Sequence, residues 1–164
     1  MIDFVIKNHT ERDVERILEL NESLVHFLSP LDREKLHQLI DQSEMMKVVE
    51  VNGRVEAFVL TFSEGKDYDS VNYLWFANKY DRFLYVDRIV VDETMHGKGI
   101  GRQLYQFVFD YAKDNGFSRV TAEIDIEPPN PGSLIFHKKF GFEEVGRQSV
   151  AGGKKIVSLQ SAHV

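Results

Sequence analysis

The chain of 164 residues contains no cysteine. This absence excludes disulfide bonds, thiolate metal sites and catalysis by a cysteine nucleophile. The sequence also lacks any apolar run near the roughly 20 residues that span a bilayer. No basic-then-apolar segment at the start has the form of a signal peptide. We therefore expect a cytoplasmic protein that has no membrane partner.

Basic residues are scarcer than acidic ones, with 20 lysines and arginines against 26 aspartates and glutamates. The formal net charge of −6 argues against a nucleic-acid partner, because such proteins usually carry a basic footprint. The negative electrostatic potential around an acidic protein suits a cationic or amine substrate. The histidines show no metal-ligand spacing with carboxylates, so we expect no metal.

Length and composition bound the architecture. Apolar residues make up 43% of the chain and charged residues 28%, as in ordinary globular proteins. A chain of this length suits one domain with a substantial core better than two. The sequence therefore predicts a single domain over residues 1–164.

Hydrophobic periodicity and turn residues predict seven strands and four helices. Thr10 with Asp13, and then Asp32, are helix-start signals, and Asn52-Gly53 predicts a hairpin. The resulting order, β-α-α-β-β-β-α-β-α-β-β, indicates a mixed α/β domain. The predicted strands are residues 2–7, 46–51, 54–62, 83–91, 119–126, 142–150 and 154–159, and the two later helices are residues 100–113 and 132–139.

Residues 63–82 are polar and aromatic, and we expect them to form a long loop, which in a compact domain is usually functional or mobile. The aromatic residues in it form an acceptor lid, cover the core or form the face of a homodimer. These residues are Tyr68, Tyr73, Trp75 and Tyr80.

A glycine-rich run lies between the predicted strand 83–91 and the helix that follows it. Glycines at alternate positions let the backbone approach a ligand closely, and a helix N-terminus supplies free N–H groups and a positive dipole end. The combination predicts an anion site, most naturally for phosphate. The run is His96, Gly97, Lys98, Gly99, Ile100, Gly101 and Arg102.

Two common phosphate motifs do not fit this run. A Walker loop needs Gly-x-x-x-x-Gly-Lys-Ser/Thr, and that spacing is absent. A dinucleotide fold needs Gly-x-Gly-x-x-Gly near the start of repeated βαβ units. Here the pattern is Gly-x-Gly-x-Gly in mid-chain, after a hairpin, so the context fails.

The run resembles the pyrophosphate loop of the GNAT N-acetyltransferase superfamily, whose motif is Arg/Gln-x-x-Gly-x-Gly/Ala after a strand that ends in a Val-Asp-like step. Here Val91-Asp92 precedes the loop, and His96 replaces the usual Arg or Gln. A second family motif, Asn followed seven residues later by Tyr and then by Gly-Phe, is matched by Asn130 and Gly141-Phe142, with His137 in place of Tyr. The resemblance covers residues 83 to 145, and it implies a central, mostly antiparallel sheet of about seven strands flanked by four helices.

The resemblance implies that acetyl-CoA is the cofactor. The loop and the helix N-terminus would anchor its pyrophosphate, and the strand backbone before the loop would pair with the pantetheine arm. The implied cofactor-binding residues are Ile89, Val90, Val91, His96, Gly97, Lys98, Gly99, Ile100, Gly101, Arg102, Asn130 and His137.

The resemblance also directs attention to three catalytic candidates. His137, at the family's Tyr position, would protonate the departing thiolate, or it simply packs or caps a short helix. Tyr85 stands where some members carry a catalytic Glu, so that base is missing. Asp87, on the same strand face, would hold or deprotonate the acceptor amine, or the Asp87–Arg88 neighbourhood pairs structurally with other strands. Glu123, Asp125 and Glu127 alternate on the next strand and line an acceptor site or form a solvated face.

These implications predict an N-acetyltransferase that moves an acetyl group from acetyl-CoA to a primary amine of a small molecule or peptide. The absence of cysteine argues against a thioester on the enzyme, so we expect sequential kinetics. The alternatives are an acyl-CoA-binding sensor without turnover and an interaction module that has lost cofactor binding. Residues 25–45 and 63–82 are the expected acceptor-specificity region.

Overall fold

The computed structural model describes residues 2–25 and 27–164. The strands are β1 (Phe4–Lys7), β2 (Met45–Val51), β3 (Arg54–Ser63), β4 (Leu84–Val91), β5 (Arg119–Glu127), β6 (Glu143–Val150) and β7 (Lys155–His163). The helices are α1 (Val14–Glu22), α2 (Arg33–Gln42), α3 (Val71–Lys79), α4 (Ile100–Asp114) and α5 (Pro131–Lys138). None of these helices combines the length and the apolarity needed to cross a bilayer.

The strands form one mixed sheet in the order β1-β2-β3-β4-β5-β7-β6. The pairs β1–β2, β2–β3, β5–β7 and β6–β7 are antiparallel, whereas β4 and β5 run parallel. The prediction of a mixed, mostly antiparallel sheet of seven strands is confirmed.

Local turn and cap signals act as the sequence predicts. The Asp13 carboxylate accepts the Thr10 backbone N–H at 2.8 Å before α1, and the Asp32 carboxylate accepts the Lys35 N–H at 2.7 Å at the start of α2. Asn52 and Gly53 both have positive φ, at 51° and 80°, as a tight hairpin turn requires. Each signal lies within four residues of the groups it satisfies.

The prediction of an unstructured loop over residues 63–82 is wrong, because α3 lies inside it and raises the helix count of the described chain to five. The Ser70 hydroxyl caps α3 by accepting the Tyr73 N–H at 3.3 Å. Tyr73 and Phe76 are buried, and each ring centroid lies 5.8 Å from that of Tyr85 on β4. Aromatic residues are only moderate helix formers, and here burial against a strand outweighs propensity.

The chain divides into two compact units. One comprises the residues up to Phe62 together with Val86–Asp110, and the other comprises Ser63–Tyr85 together with Tyr111–Val164. The first unit contains α1, α2 and the start of α4 along with β1 and β2, and its core includes Val14, Ile17, Leu36, Leu39, Phe58 and Leu104. The second contains α3 and α5 with β5, β6 and β7, and its core includes Tyr73, Phe76, Tyr85, Val120 and Leu159.

In the second unit, the single tryptophan packs directly on a glycine of β6. A Cβ built on Gly146 would lie 2.4 Å from the Trp75 ring, so only glycine leaves room for the indole. The Gln148 side-chain amide donates to the Asn72 side-chain oxygen Oδ1 at 3.0 Å. These two contacts hold α3 against β6.

Candidate functional site

In the first unit, the glycine-rich run forms an open backbone loop between β4 and α4. Gly97 and Gly99 have φ values of +77° and +83°, in the left-handed region that glycine adopts without strain. A Cβ at Gly97 would meet no atom within 4 Å, and one at Gly99 would meet only the Arg102 guanidinium, at 3.8 Å. The loop backbone therefore faces open space, which a ligand can occupy.

A surface cavity of about 580 Å³ lies over this loop, lined by Ile2, Gly97, Lys98, Gly99 and Arg102. The first α-helical backbone bond of α4 runs from the Gln103 N–H to the Gly99 carbonyl at 3.0 Å. The amides before Gln103 in the first turn therefore have no acceptor within the helix. Two cationic side chains, free amide donors and a positive helix end make this cavity suitable for a phosphate or diphosphate group.

The segment that enters the loop is held in a closed turn. The Asp92 carboxylate accepts the Thr94 N–H at 2.9 Å and the Thr94 hydroxyl at 2.6 Å. The His96 ring lies 2.9 Å from the Val91 carbonyl oxygen through Nε2, and this nitrogen must donate because a carbonyl oxygen only accepts. The His96 side chain therefore braces the loop, and its predicted contact with the cofactor can involve only Nδ1 of the ring.

Side chains on β4 alternate in burial along the part of the strand that precedes the loop. Val90 is buried, while Ile89 and Val91 are half-buried. The Arg88 Nε donates to the Asp87 carboxylate at 2.6 Å, and both side chains are only 4% exposed. Asp87 thus pairs with its neighbour Arg88 on the same strand, and an acid–base role for Asp87 stays a prediction.

The Arg88 guanidinium also connects β4 to the segment that follows α1. It donates to the Asn21 side-chain oxygen at 3.0 Å and to the Ser29 carbonyl and hydroxyl oxygens at 3.2 and 3.1 Å. Ser29 lies in the expected specificity region, so this buried arginine fixes one end of that region to β4.

In the second unit, Tyr85 and Glu123 form a hydrogen-bonded pair. The Tyr85 hydroxyl donates to the Glu123 Oε2 at 2.7 Å, and the Tyr85 ring is fully buried among the aromatic residues of α3. Glu123 lies on β5, the parallel neighbour of β4. The structure thus places a carboxylate beside Tyr85.

Sequence reasoning did not find this partnership. The alternation on β5 singled out Glu123, but no local signal linked it to Tyr85, which is 38 residues away.

Asp125 and Asn130 also lie in the second unit. The Asp125 carboxylate is 3.3 Å from the Lys155 ammonium with its side chain 8% exposed, and burial raises the pKa of this carboxyl group. The Asn130 N–H donates to the Asp125 carbonyl at 3.1 Å. Asn130 is the residue immediately before α5, where its carbonyl accepts the Leu134 N–H at 3.2 Å.

His137 is buried near the end of α5. Its Nδ1 lies 2.7 Å from the Ser133 carbonyl oxygen, so Nδ1 carries a proton. Its ring packs against Phe142 and Phe136 at centroid distances of 5.1 and 5.6 Å. Burial lowers the pKa of His137, which favours the neutral ring. A neutral Nδ1–H ring has no proton on Nε2, so the predicted general-acid role requires the disfavoured cation.

We expect stability to depend on pH through His137. The folded-state pKa lies below the unfolded value of 6.5, so the unfolded chain binds more protons below that pH. Its contribution to stability is therefore constant above about pH 6.5 and is lost as the pH falls toward the folded-state pKa, with a slope of at most about 1.4 kcal/mol per pH unit. Urea denaturation at several pH values between pH 5 and pH 7.5 measures the free energy of unfolding. As the pH falls, this free energy should decrease less steeply in His137→Gln than in the wild type.

The control is His163→Gln, since the His163 side chain is exposed and its replacement should leave the pH dependence of the unfolding free energy as it is in the wild type. An equal pH dependence of the unfolding free energy in His137→Gln and wild type would contradict the expectation.

The variant His137→Phe tests the general-acid role, which predicts a larger loss of turnover than of coenzyme A affinity. Turnover equal to that of the wild type would rule that role out.

The structure divides the predicted site residues between its two units. Asp87, Ile89, Val90, Val91 and residues 96–102 lie in the first, and Tyr85, Asn130 and His137 lie in the second. Within the first unit, Gly97 and Gly99 line one cavity together with Lys98 and Arg102, and anion binding by the run stays a prediction. Among the described residues, no group of three or more histidine, aspartate or glutamate side chains is arranged so that it could hold a metal ion.

Comparison with known proteins identifies the family of this chain. The pattern that defines the acetyltransferase (GNAT) family matches residues 11–142, which is most of the chain, so the chain belongs to the GNAT acetyltransferase family. An uncharacterized N-acetyltransferase of Methanocaldococcus jannaschii is 32% identical over 111 residues, which are 67% of this chain and 43% of that protein. The chain thus matches less than half the length of this relative.

Solved structures share the fold over nearly the whole chain. Ard1 from Thermoplasma volcanium superposes with a TM-score of 0.80 at 15% identity, covering 98% of this chain and 97% of its own. The ribosomal-protein-S18-alanine N-acetyltransferase of Escherichia coli gives 0.74 at 14% identity, covering 99% and 94%. Arabidopsis thaliana Naa50, in complex with the bisubstrate analogue CoA-Ac-MVNAL, gives 0.73 at 17% identity, covering 96% and 97%.

Proposed function

We propose that this protein is an acetyl-CoA-dependent N-acetyltransferase that acetylates a primary amine by direct transfer. The observation that carries the proposal is the cavity lined by Gly97, Lys98, Gly99 and Arg102 at the start of α4. Its open backbone and two cations fit the pyrophosphate of coenzyme A, which brings a thioester-activated acetyl group. Lys98 and Arg102 would neutralise the phosphates, and the first amides of α4 would donate hydrogen bonds to them.

The strand before the loop would hold the rest of the acyl donor. Ile89 and Val91 are half-buried, and their strand backbone is the segment proposed to pair with the pantetheine arm. Asn130 and His137 complete the proposed cofactor-binding set on the strength of the family motif.

Glu123 is the proposed general base for the acceptor. An amine in water near neutral pH is mainly an ammonium ion and must lose a proton before it can attack a carbonyl carbon. The Glu123 carboxylate can accept that proton, and the Tyr85 hydroxyl orients it through the 2.7 Å hydrogen bond. Tyr85 is in turn fixed by the rings of Tyr73 and Phe76. Glu123 would thus take the role of the catalytic Glu that some family members carry at the position of Tyr85.

The acceptor is proposed to be a small-molecule or peptide amine. Two of the structural neighbours are described as acting on a protein alanine and as binding a coenzyme A–peptide conjugate, which favours including peptide N-termini among the candidates. Cytoplasmic location and a homodimer belong to the same proposal.

Two measurements test the function. Calorimetric titration with acetyl-CoA should show saturable binding, and a thiol-release assay should show turnover with at least one amine from a panel of polyamines, amino acids, aminoglycosides and peptides. Binding without turnover across the panel would favour the acyl-CoA sensor. No binding would favour the interaction module and refute the proposal.

A further inference from the structure

The Arg16 side chain connects α1 to Asp92, which lies shortly before the glycine-rich loop. Its Nε donates to the Val55 carbonyl at 2.8 Å, and one terminal nitrogen donates to Glu19 at 2.7 Å. The other terminal nitrogen donates to Asp92 at 2.8 Å and to Glu56 at 3.3 Å. One guanidinium thus binds a helix, a strand and the start of the loop segment.

Asp92 transmits this anchor into the loop. Its backbone N–H donates to the Glu56 carbonyl at 2.8 Å, and its carbonyl accepts the Met95 N–H at 2.9 Å. Its carboxylate binds Arg16 through one oxygen and Thr94 through the other. The backbone N–H, the backbone carbonyl and both carboxylate oxygens of Asp92 are therefore hydrogen-bonded, only five positions before Gly97.

The contacts of Arg16 with Glu56 and Asp92 are largely screened from water. The Arg16 side chain is 14% exposed and that of Glu56 only 4%, while Asp92 is 21% exposed. Without Arg16, the Glu56 and Asp92 carboxylates would lose the cation that they share, and the Val55 carbonyl would lose the donor that Arg16 supplies. Such a loss costs far more than that of a surface ion pair.

The ion pair is present throughout the neutral pH range. Hydrogen bonds from Thr94 and from Arg16 lower the pKa of Asp92 to about 2. The carboxylate therefore stays ionised wherever the enzyme would work, and Arg16 acts as a constant structural element.

We propose that Arg16, through Asp92, is a positioning residue that holds the 92–96 turn and thereby presents the Gly97–Gly99 backbone to the phosphates of the acyl donor. The inference rests on the proposed function of the loop. A loop held in its binding conformation does not have to be ordered when the ligand arrives, so affinity is higher. Arg16 itself need not contact the ligand.

Arg16→Gln should raise the dissociation constant of coenzyme A roughly tenfold, as measured by calorimetry. At saturating acetyl-CoA, turnover should stay within about threefold of wild type, so KM rises while kcat is retained. In the ligand-free protein, backbone amides of residues 93–97 should exchange hydrogen faster. Asp92→Asn keeps an oxygen for Thr94 but removes the charge, and it should shift binding and exchange in the same direction.

Arg54→Gln is the matched control, because Arg54 lies near the Glu19 and Glu56 carboxylates at 3.8 and 3.6 Å without being bonded to Asp92. It should leave both the dissociation constant and the exchange rates unchanged. Arg16→Gln and Asp92→Asn proteins with the exchange and affinity of Arg54→Gln would overturn the proposal. Failure of the wild type to bind coenzyme A would instead refute the proposed function. Hydrogen exchange would still measure whether Arg16 and Asp92 hold the 92–96 turn.

Discussion

Gly99→Asp is expected to weaken coenzyme A binding by roughly 30- to 100-fold relative to Gly99→Asn. Both side chains tolerate the positive φ of +83° at this position better than other residues do, and they have nearly the same shape. They differ in a negative charge placed in the cavity between Lys98 and Arg102. A like charge near a phosphate is unfavourable by roughly 2–3 kcal/mol in a partly screened site. Calorimetry at low and moderate salt measures the difference.

The asparagine variant is the steric control and should lose no more than about tenfold, since a Cβ at residue 99 contacts only the Arg102 guanidinium. The gap between the two variants should narrow as salt is added. Equal affinities for the aspartate and asparagine proteins would show that the cavity does not hold the phosphates.

Glu123→Gln is expected to lower turnover by about 10²- to 10³-fold, the usual effect of removing a general base. The glutamine keeps an oxygen that accepts the Tyr85 hydroxyl, so the hydrogen bond across β4 and β5 is preserved. Affinity for acetyl-CoA should change by less than about threefold, because Glu123 is assigned to the acceptor. Steady-state rates over a pH range, together with calorimetry, separate the two effects.

Glu127→Gln is the matched control on the same strand, since Glu127 is exposed and should be neutral. Tyr85→Phe keeps the buried ring and removes only the hydroxyl, so turnover should fall by less than in Glu123→Gln. Turnover of the Glu123→Gln protein within about threefold of wild type would exclude Glu123 as the base.

The prediction for residues 63–82 shows where sequence patterns are insufficient. Ser70 and the spacing of Tyr73 and Phe76 are the signals of α3 that the sequence contains. They are weak because the surrounding residues are polar and aromatic. The helix becomes favourable only when Tyr73 and Phe76 pack against Tyr85, and that surface exists only once β4 is in place.

The acid–base candidates show the same limit. Sequence position marked Tyr85 and Asp87 on β4, but it could not reveal that Glu123 on β5 pairs with Tyr85. Side-chain partners across a sheet depend on strand order and register, which a single strand pattern does not specify.

The sequence by itself determined the helix caps, the Asn52-Gly53 hairpin and the glycine loop before α4, because backbone torsion and hydrogen bonding over three or four residues decide each of them. It also determined the family, through a loop motif whose glycines adopt the backbone conformation that the loop requires. Only the tertiary structure decided α3, the Tyr85–Glu123 pair and the Arg16–Asp92 contact, which joins residues 76 positions apart. Such long-range pairs form because burial and strand pairing bring distant segments together, and no local sequence signal encodes them.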